Sequence, residues 1–283
     1  MSKNVYDMVT ERIIEELEKG RIPWQKPWTG VKSGAYNRIS KKPYSLLNQM
    51  LLGKAGEWAS FKQWTELGGH IRKGEKSSFV TFWKVQEIEE IKEDGTKEIK
   101  QIPLLRYYNV FHISQVEGVE PLEMEALNTT KPIETAEKVF KDYVTREGIR
   151  VEQTASNKAY YSPTFDLIHL PLIEQFTRAE EYYSTAFHEA THSTMKESRC
   201  NRQEDRKGKL VAFGSEEYSK EELVAEIGSA NILNLLGIET DHSFQNSTAY
   251  IQSWIKALRN DVKMIVSASS KAEKATKYIL NEA

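Results

Sequence analysis

The chain has 283 residues, 39% hydrophobic and 28% charged, with a formal net charge of −2. That length suits one large domain or two of ordinary size. No apolar run approaches the length of a membrane span and no apolar h-region follows Met1, so no membrane association is expected and the cytoplasm is the expected location. The single cysteine, Cys200, cannot form an internal disulfide, which agrees with that compartment, and it reads as an inert thiol.

Residues 4–19 read as an amphipathic helix, because Val5, Met8, Val9, Ile13 and Leu17 follow helical spacing and Gly20 stops it. "IPWQKPWTG" is a proline-punctuated loop. "PYSLLNQMLLGKAG" reads as a helix, and "SFKQWTELGG" as a second, capped by Ser60 and stopped by Gly68 and Gly69. "SSFVTFWKV" and "IPLLRYYNVFHISQV" have the β-branched and aromatic character of strands. Between them "EIEEIKEDGTKEIK" carries the turn signal Asp94-Gly95, so the two are expected to form an antiparallel pair with a charged, solvated tip.

The acidic stretch "EGVEPLEMEALNTTKPIE" has little periodicity, and a linker is expected near 117–130. Beyond it the pattern predicts a helix (134–146), strands at 149–154 and 165–171, helices at 178–195, 220–236 and 247–266, and a terminal helix.

Within "YYSTAFHEATHSTM", His188 and His192 stand one helical turn apart. Thr177 and Glu180 have the spacing of a capping box, and Ala179, Tyr182, Tyr183, Ala186, Phe187 and Ala190 form a stripe for burial. Two imidazoles so placed can bind one Zn²⁺. Glu189 lies about 100° further round the helix, where it can reach water at the metal and serve as general base. A third ligand is needed, and "SKEELVAEIGSANILNLLG" offers Glu222 and Glu226, one turn apart at the edge of an apolar stripe. Glu222 is the expected ligand, and Glu226 is expected to orient a ligand histidine through its other ring nitrogen. Exchanged roles are the alternative, as is Glu222 as a capping partner of Ser219. Gly228 would let the two helices approach closely. Tyr218 reads as a packing residue or as a donor to an oxyanion. "FDLIHLP" reads as a core strand or as one that holds an extended peptide by strand addition. His70, His112, His169 and His242 lack chelating partners in the sequence.

Charge is uneven. From Lys19 to Lys84 there are thirteen lysines and arginines against Glu57, Glu66 and Glu75, a local net of +10. The same segment holds five of the six tryptophans. Cations attract a phosphate backbone and aromatic rings stack on unpaired bases, a combination that favours single-stranded over duplex nucleic acid. The bland reading is a small core beside a solvated face. Trp24, Trp28 and Tyr36 are expected to be exposed on the loop, with Arg38, Lys41 and Lys42 nearby. Trp58 and Trp64 read as core. "GGHIRKGEKSS" presents Arg72, Lys73 and Lys76 as a phosphate-contacting turn.

The stretches "YNRISKKPYSLLNQMLL", "WASFKQWTELGGHIRKGEKSSFVTFWK", "YYNVFHISQVEG", "YYSPTFDLIHLP", "YYSTAFHEATH", "FGSEEYSKEELVAEIGSA" and "AYIQSWIKALRND" together resemble the ArdC-type antirestriction proteins of conjugative and other mobile elements. The resemblance runs through most of the chain in order. It implies a single-stranded-DNA-binding N-terminal domain, similar to that of TraC-type plasmid primases, before a zincin-like metallopeptidase domain. It further implies protection of incoming single-stranded DNA, metal binding by His188, His192 and a glutamate of "EELVAE", and Glu189 as base. The resemblance implies a Thr-Gly turn after the second histidine, and Met195 stands where that glycine is expected.

The expected protein is therefore α+β. A small α+β DNA-binding domain spans residues 1–125, and a mostly helical zincin-like domain with a small sheet spans 126–283. Zn²⁺ is the expected cofactor and a DNA-associated protein the expected substrate. The alternatives are a DNA-coating protein whose zincin domain is structural, or a regulatory protease that cleaves a repressor.

Overall fold

The computed structural model describes residues 4–24, 34–91, 97–122, 132–202, 216–238 and 247–282. The fold is mixed α and β. Helix α1 (Val5–Glu18) begins where the Asn4 side chain accepts from the Asp7 N–H at 2.9 Å and Asp7 accepts in return from the Asn4 N–H. This reciprocal cap satisfies donors that a helix start leaves unpaired. Val9, Ile13 and Leu17 point inward and are buried. Gly20 leaves the helix with φ of 73°, a left-handed value that a Cβ would disfavour.

Strand β1 (Ala35–Asn37), helix α2 (Leu46–Leu52), strand β2 (Gly56–Ala59), helix α3 (Phe61–Glu66) and strand β3 (His70–Ile71) follow. Then come the long strands β4 (Ser78–Ile91) and β5 (Lys97–His112), and the short β6 (Val116–Glu117). The main sheet has the order β1-β2-β5-β4, with β1 and β2 parallel and the other neighbours antiparallel.

Two consecutive side chains of α2 attend to both edges of this sheet. Asn48 bonds the Thr81 carbonyl and N–H of β4, each at 2.8 Å. Gln49 bonds the Ala35 N–H and carbonyl of β1 at 2.7 and 2.8 Å. A primary amide offers one donor side and one acceptor, as a peptide group does, so each stands in for a missing strand.

Two sequence readings change here. The helix expected over 43–56 stops at Gly53, and Gly56–Ala59 forms β2, since Trp58 is drawn into a core with Ala35, Val80 and Val110. The charged stretch after "SSFVTFWKV" is largely strand, paired from Ser78↔Val110 to Ile91↔Lys97. Cross-strand contacts such as Lys97 to Glu89 at 3.0 Å set opposite charges side by side. The Asp94-Gly95 turn lies outside the described residues, as does most of the expected linker.

The second half begins with helix α4 (Pro132–Glu147). Strands β7 (Arg150–Thr154), β8 (Tyr160–Ser162) and β9 (Leu167–Pro171) form a sheet ordered β7-β9-β8. Helices α5 (Ala179–Ser193), α6 (Glu216–Leu235), α7 (Ser247–Asn260) and α8 (Met264–Leu280) complete it. Tyr182, Tyr183, Ala186, Phe187 and Ala190 of α5 pack with Ile168 and Leu170 of β9 and with Phe140 and Tyr143 of α4. Met195, where the resemblance led to the expectation of a glycine, is buried in this core.

β9 is buried along its whole length and paired on both sides, so it has no free edge. That overturns strand addition on "FDLIHLP". The Thr177–Glu180 capping box is also corrected, because α5 starts after Arg178, which makes no side-chain cap bond. Glu180 and Glu181 still lie in the first turn, where the helix dipole favours them.

The two halves share a core. Val9, Ile13, Leu47 and Met50 pack with Leu223, Ile227, Trp254, Ile255 and Ile265. Trp24 meets Trp254 edge to face, with ring centroids 5.0 Å apart.

Candidate metal centre

α5 and α6 cross at very short range. A Cβ added to Gly228 of α6 would lie 2.7 Å from Thr191 Cγ2 of α5. Thr191 is fully buried between His188 and His192, so the crossing point lies beside the two histidines. The close approach expected from Gly228 is what brings the carboxylates of α6 to the imidazoles of α5.

There His188 Nε2 and His192 Nε2 are 3.1 Å apart. Glu222 places one oxygen 3.4 Å from His188 Nε2 and the other 3.4 Å from His192 Nε2. A tetrahedral ion with bonds of about 2.0–2.1 Å holds its ligand atoms roughly 3.3 Å apart, close to the separation of the two Nε2 atoms and to the approach of each to one oxygen of the Glu222 carboxylate. The two imidazoles and one carboxylate thus suit a divalent metal. They are also the one group of this kind among the described residues. Glu226 Oε1 lies 3.8 Å from His188 Nδ1, on the far side of that ring. Of the two glutamates weighed as third ligand, Glu222 is the one that faces both Nε2 atoms. Ser219 does not start the helix, which begins at Glu216, so Glu222 is not its capping partner. Glu189 sits beside His188 on α5 and is 7% exposed. The Tyr218 side chain lies outside the described residues.

One contact had no signal in the sequence: Glu221 Oε1 lies 3.4 Å from His192 Nδ1. A carboxylate next to the expected ligand, pointing the other way round the helix, becomes visible only when α6 is set against α5. The cluster demands positive charge. Burial opposes charge on His192, but Glu221 and Glu222 outweigh it and push the imidazole up to about 10. His188 is raised in the same way, chiefly by Glu222 against burial. Burial would raise Glu222, yet the two imidazoles hold it well below the usual carboxylate range. Glu226, deeply buried, is raised.

The other histidines serve the scaffold. His169 bonds Thr154 Oγ1 and the Lys158 carbonyl. His112 bonds Ser114 and the Ala55 carbonyl, and burial pulls it down to about 4. His70 meets Glu117 at the surface. His242 lies outside the described residues.

The expected nucleic-acid residues separate into two groups. Lys41, Lys42, Lys73 and Lys76 are exposed, and Arg72 is exposed beside Glu75 at 2.6 Å. Trp24 and Tyr36 are only 1% and 7% exposed, which corrects their expected exposure. The loop's first turn folds beneath α7, and burying an indole there gains more than leaving it in water. Arg38 is committed to the buried Glu57 and also donates to the Glu120 carbonyl. Trp28 lies outside the described residues.

In place of the buried rings, the β4–β5 hairpin presents Phe82, Trp83, Tyr107 and Tyr108, which are 42%, 54%, 46% and 36% exposed. Register and strand alternation put Phe82, Lys84, Arg106 and Tyr108 on one face. The Phe82 and Tyr108 rings are 5.7 Å apart. The signal was in the sequence: "FW" and "YY" are adjacent aromatics, and in a strand one of each pair must face away from the other.

A His-Glu-x-x-His helix crossed by a glutamate-bearing helix, packed on a small sheet, defines a zincin-like metallopeptidase fold. A family described as "Zincin-like metallopeptidase" matches residues 135–271, and one described as "N-terminal domain of anti-restriction factor ArdC" matches residues 3–111. The crystal structure of the antirestriction ArdC protein from plasmid R388, metal-free, superposes with a TM-score of 0.76 at 34% identity, over 99% of this chain and 100% of that one. Its Mn(II)-bound structure gives 0.75 at 33%, over 99% and 98%. The chain belongs to the ArdC family of antirestriction proteins.

It is also 34% identical to DNA primase TraC of Escherichia coli over 98% of its own length, but it spans only 20% of that protein. An uncharacterized protein of Sinorhizobium fredii matches at 31% identity over 98% of this chain and 91% of its own length. Among the described residues no helix is long and apolar enough to cross a membrane.

Proposed function

We propose that this chain is an antirestriction protein of a mobile element that binds single-stranded DNA through its N-terminal half and hydrolyses a peptide bond of a DNA-associated protein in its C-terminal half. The observation that carries the hydrolytic part is the meeting of His188 Nε2, His192 Nε2 and the Glu222 carboxylate, with contacts of 3.1, 3.4 and 3.4 Å that use both carboxylate oxygens, and Glu189 next to His188 on α5. These three residues would hold Zn²⁺, which two imidazoles and a carboxylate suit. When bound, zinc supplies a Lewis acid that polarises the scissile carbonyl and acidifies water. Glu189 takes the proton of the attacking water on its carboxylate and passes it to the leaving amine. Glu226, behind His188, helps fix that ring.

The DNA reading is supported by the exposed face of Phe82, Lys84, Arg106 and Tyr108, together with Lys41 and Lys42. The neighbouring rings offer stacking surfaces to bases and the flanking cations attract the phosphate backbone. The single buried cysteine suits a reducing cytoplasm.

A second reading, a DNA-coating protein with a structural metal site, is favoured by the 7% exposure of Glu189. Glu189→Ala separates the two. Under the first reading it abolishes antirestriction while leaving zinc content and DNA binding intact. Full antirestriction in that variant sinks the peptidase. Mobility shifts with single-stranded and duplex oligonucleotides test the DNA partner, and no shift with either removes it.

A further inference from the structure

Arg202 follows the turn after α5, and its side chain is 4% exposed. All three guanidinium nitrogens are engaged. Nη2 donates to Glu221 Oε1 at 2.7 Å and to the Thr191 carbonyl at 2.9 Å. Nη1 donates to Thr194 Oγ1 at 2.7 Å, and Nε to Glu221 Oε2 at 3.2 Å. The backbone is anchored as well, since the Arg202 N–H donates to the Met195 carbonyl at 2.9 Å. One side chain thus ties the end of α5, just past His192, to the first turns of α6, just before Glu222.

A buried arginine–glutamate pair is a weak source of stability, because desolvating both charges offsets most of their attraction. Its place is better explained by what Glu221 does next. The oxygen that takes the shorter arginine bond also lies 3.4 Å from His192 Nδ1. A carboxylate there accepts the Nδ1 proton, which leaves Nε2 with its lone pair directed at His188 and Glu222. A guanidinium can do this and a lysine cannot, since only the planar fork holds both carboxylate oxygens while reaching two further acceptors.

We propose that Arg202 and Glu221 are positioning residues for His192: Arg202 fixes the Glu221 carboxylate, and Glu221 fixes the ring and tautomer of the histidine that faces the metal. This rests on the metal-site reading above. On that basis Glu221, more than Glu226 at 3.8 Å, is the carboxylate that governs ligand geometry.

The test is zinc affinity of the full chain, read by competition with a chromogenic chelator, with Co²⁺ absorption as a second readout of coordination geometry. Glu221→Gln and Arg202→Lys are each expected to weaken Zn²⁺ binding about ten- to a hundred-fold and to alter the Co²⁺ spectrum. Wild-type affinity in Glu221→Gln overturns the proposal. His188→Ala is the control: it must lose zinc, and a wild-type chain that binds none removes the metal-site reading itself. If Glu221→Gln melts far below wild type, the charge-free pair Arg202→Met with Glu221→Met is measured instead. Tenfold weaker zinc binding supports the clamp, and unchanged binding rejects it.

Discussion

The α5–α6 crossing and the β4–β5 hairpin are built on opposite terms. At the crossing, the side chains of His188, His192 and Glu222 are 19%, 12% and 27% exposed and each touches another charged group. On the hairpin, Phe82 and Trp83 are 42% and 54% exposed. A site that must hold atoms to fractions of an ångström needs neighbours on every side. A surface that meets a flexible polymer needs accessible rings and cations, and it tolerates looser placement. Trp24 illustrates the boundary: it lies in the same basic, tryptophan-rich segment as Trp83, yet it is core.

Substitutions can break that contrast. The largest expected effect is on chemistry, where Glu189→Ala should lower any peptide hydrolysis by about 10²–10⁴-fold, measured with casein or a captured partner. An equal rate in the variant would detach Glu189 from the reaction. Next in size, Trp24→Ala should cost about 3–5 kcal/mol of stability, seen as a lower urea midpoint, with DNA affinity unchanged under native conditions. Phe82→Ala with Tyr108→Ala should do the reverse. Stability should move by less than about 0.5 kcal/mol per exposed site, and single-stranded DNA binding should weaken by about 1–3 kcal/mol per lost stacking ring. If Trp24→Ala alone weakens DNA binding, the assignment of the two regions is inverted.

Gly228→Ala sharpens the geometry of the crossing. In an open helix the change would stabilise by up to about 1 kcal/mol. Here the new Cβ lies 2.7 Å from Thr191 Cγ2 and 2.9 Å from Thr191 Oγ1. Overpacking should win and destabilise by about 1–3 kcal/mol, with weaker metal binding. Adding Thr191→Ala should restore both, and failure to restore them would show that the clash is not the cause.

The smallest effect concerns acid. Asp166 anchors the turn after α5 through Arg199 at 2.8 Å and Lys196 at 2.6 Å. Burial opposes its charge, but these cations and Tyr161 lower it from 3.8 to about 2. Because the folded value is the lower one, its contribution is complete above 3.8 and is lost as pH falls toward 2. Asp166→Asn, which also tolerates the left-handed φ of 47° there, should lower stability at neutral pH and flatten the decline over that acid range. Parallel profiles for wild type and variant would exclude the linkage.

The legible parts of this molecule are local. An i, i+4 histidine pair depends only on helical periodicity, so His188 and His192 could be placed together from their spacing. α1 was readable because its apolar stripe and the glycine that stops it lie within one segment. The adjacent glutamates behave differently. Glu222 and Glu226 share a stripe edge and could be narrowed to a pair, but only the crossing at Gly228 shows that Glu222 meets both Nε2 atoms. Glu221 offered nothing to read, because its role requires Arg202, nineteen positions earlier, and His192 on another helix.

By itself, the sequence determined the helical metal motif, the basic character of the first third and the mixed fold, since periodicity and composition act over short distances. Tertiary structure decided which carboxylate faces the imidazoles, which tryptophans are buried and which aromatics remain in solvent. Those outcomes depend on how distant segments pack, and a linear pattern carries no record of the crossing distance between two helices or of the face a sheet turns outward.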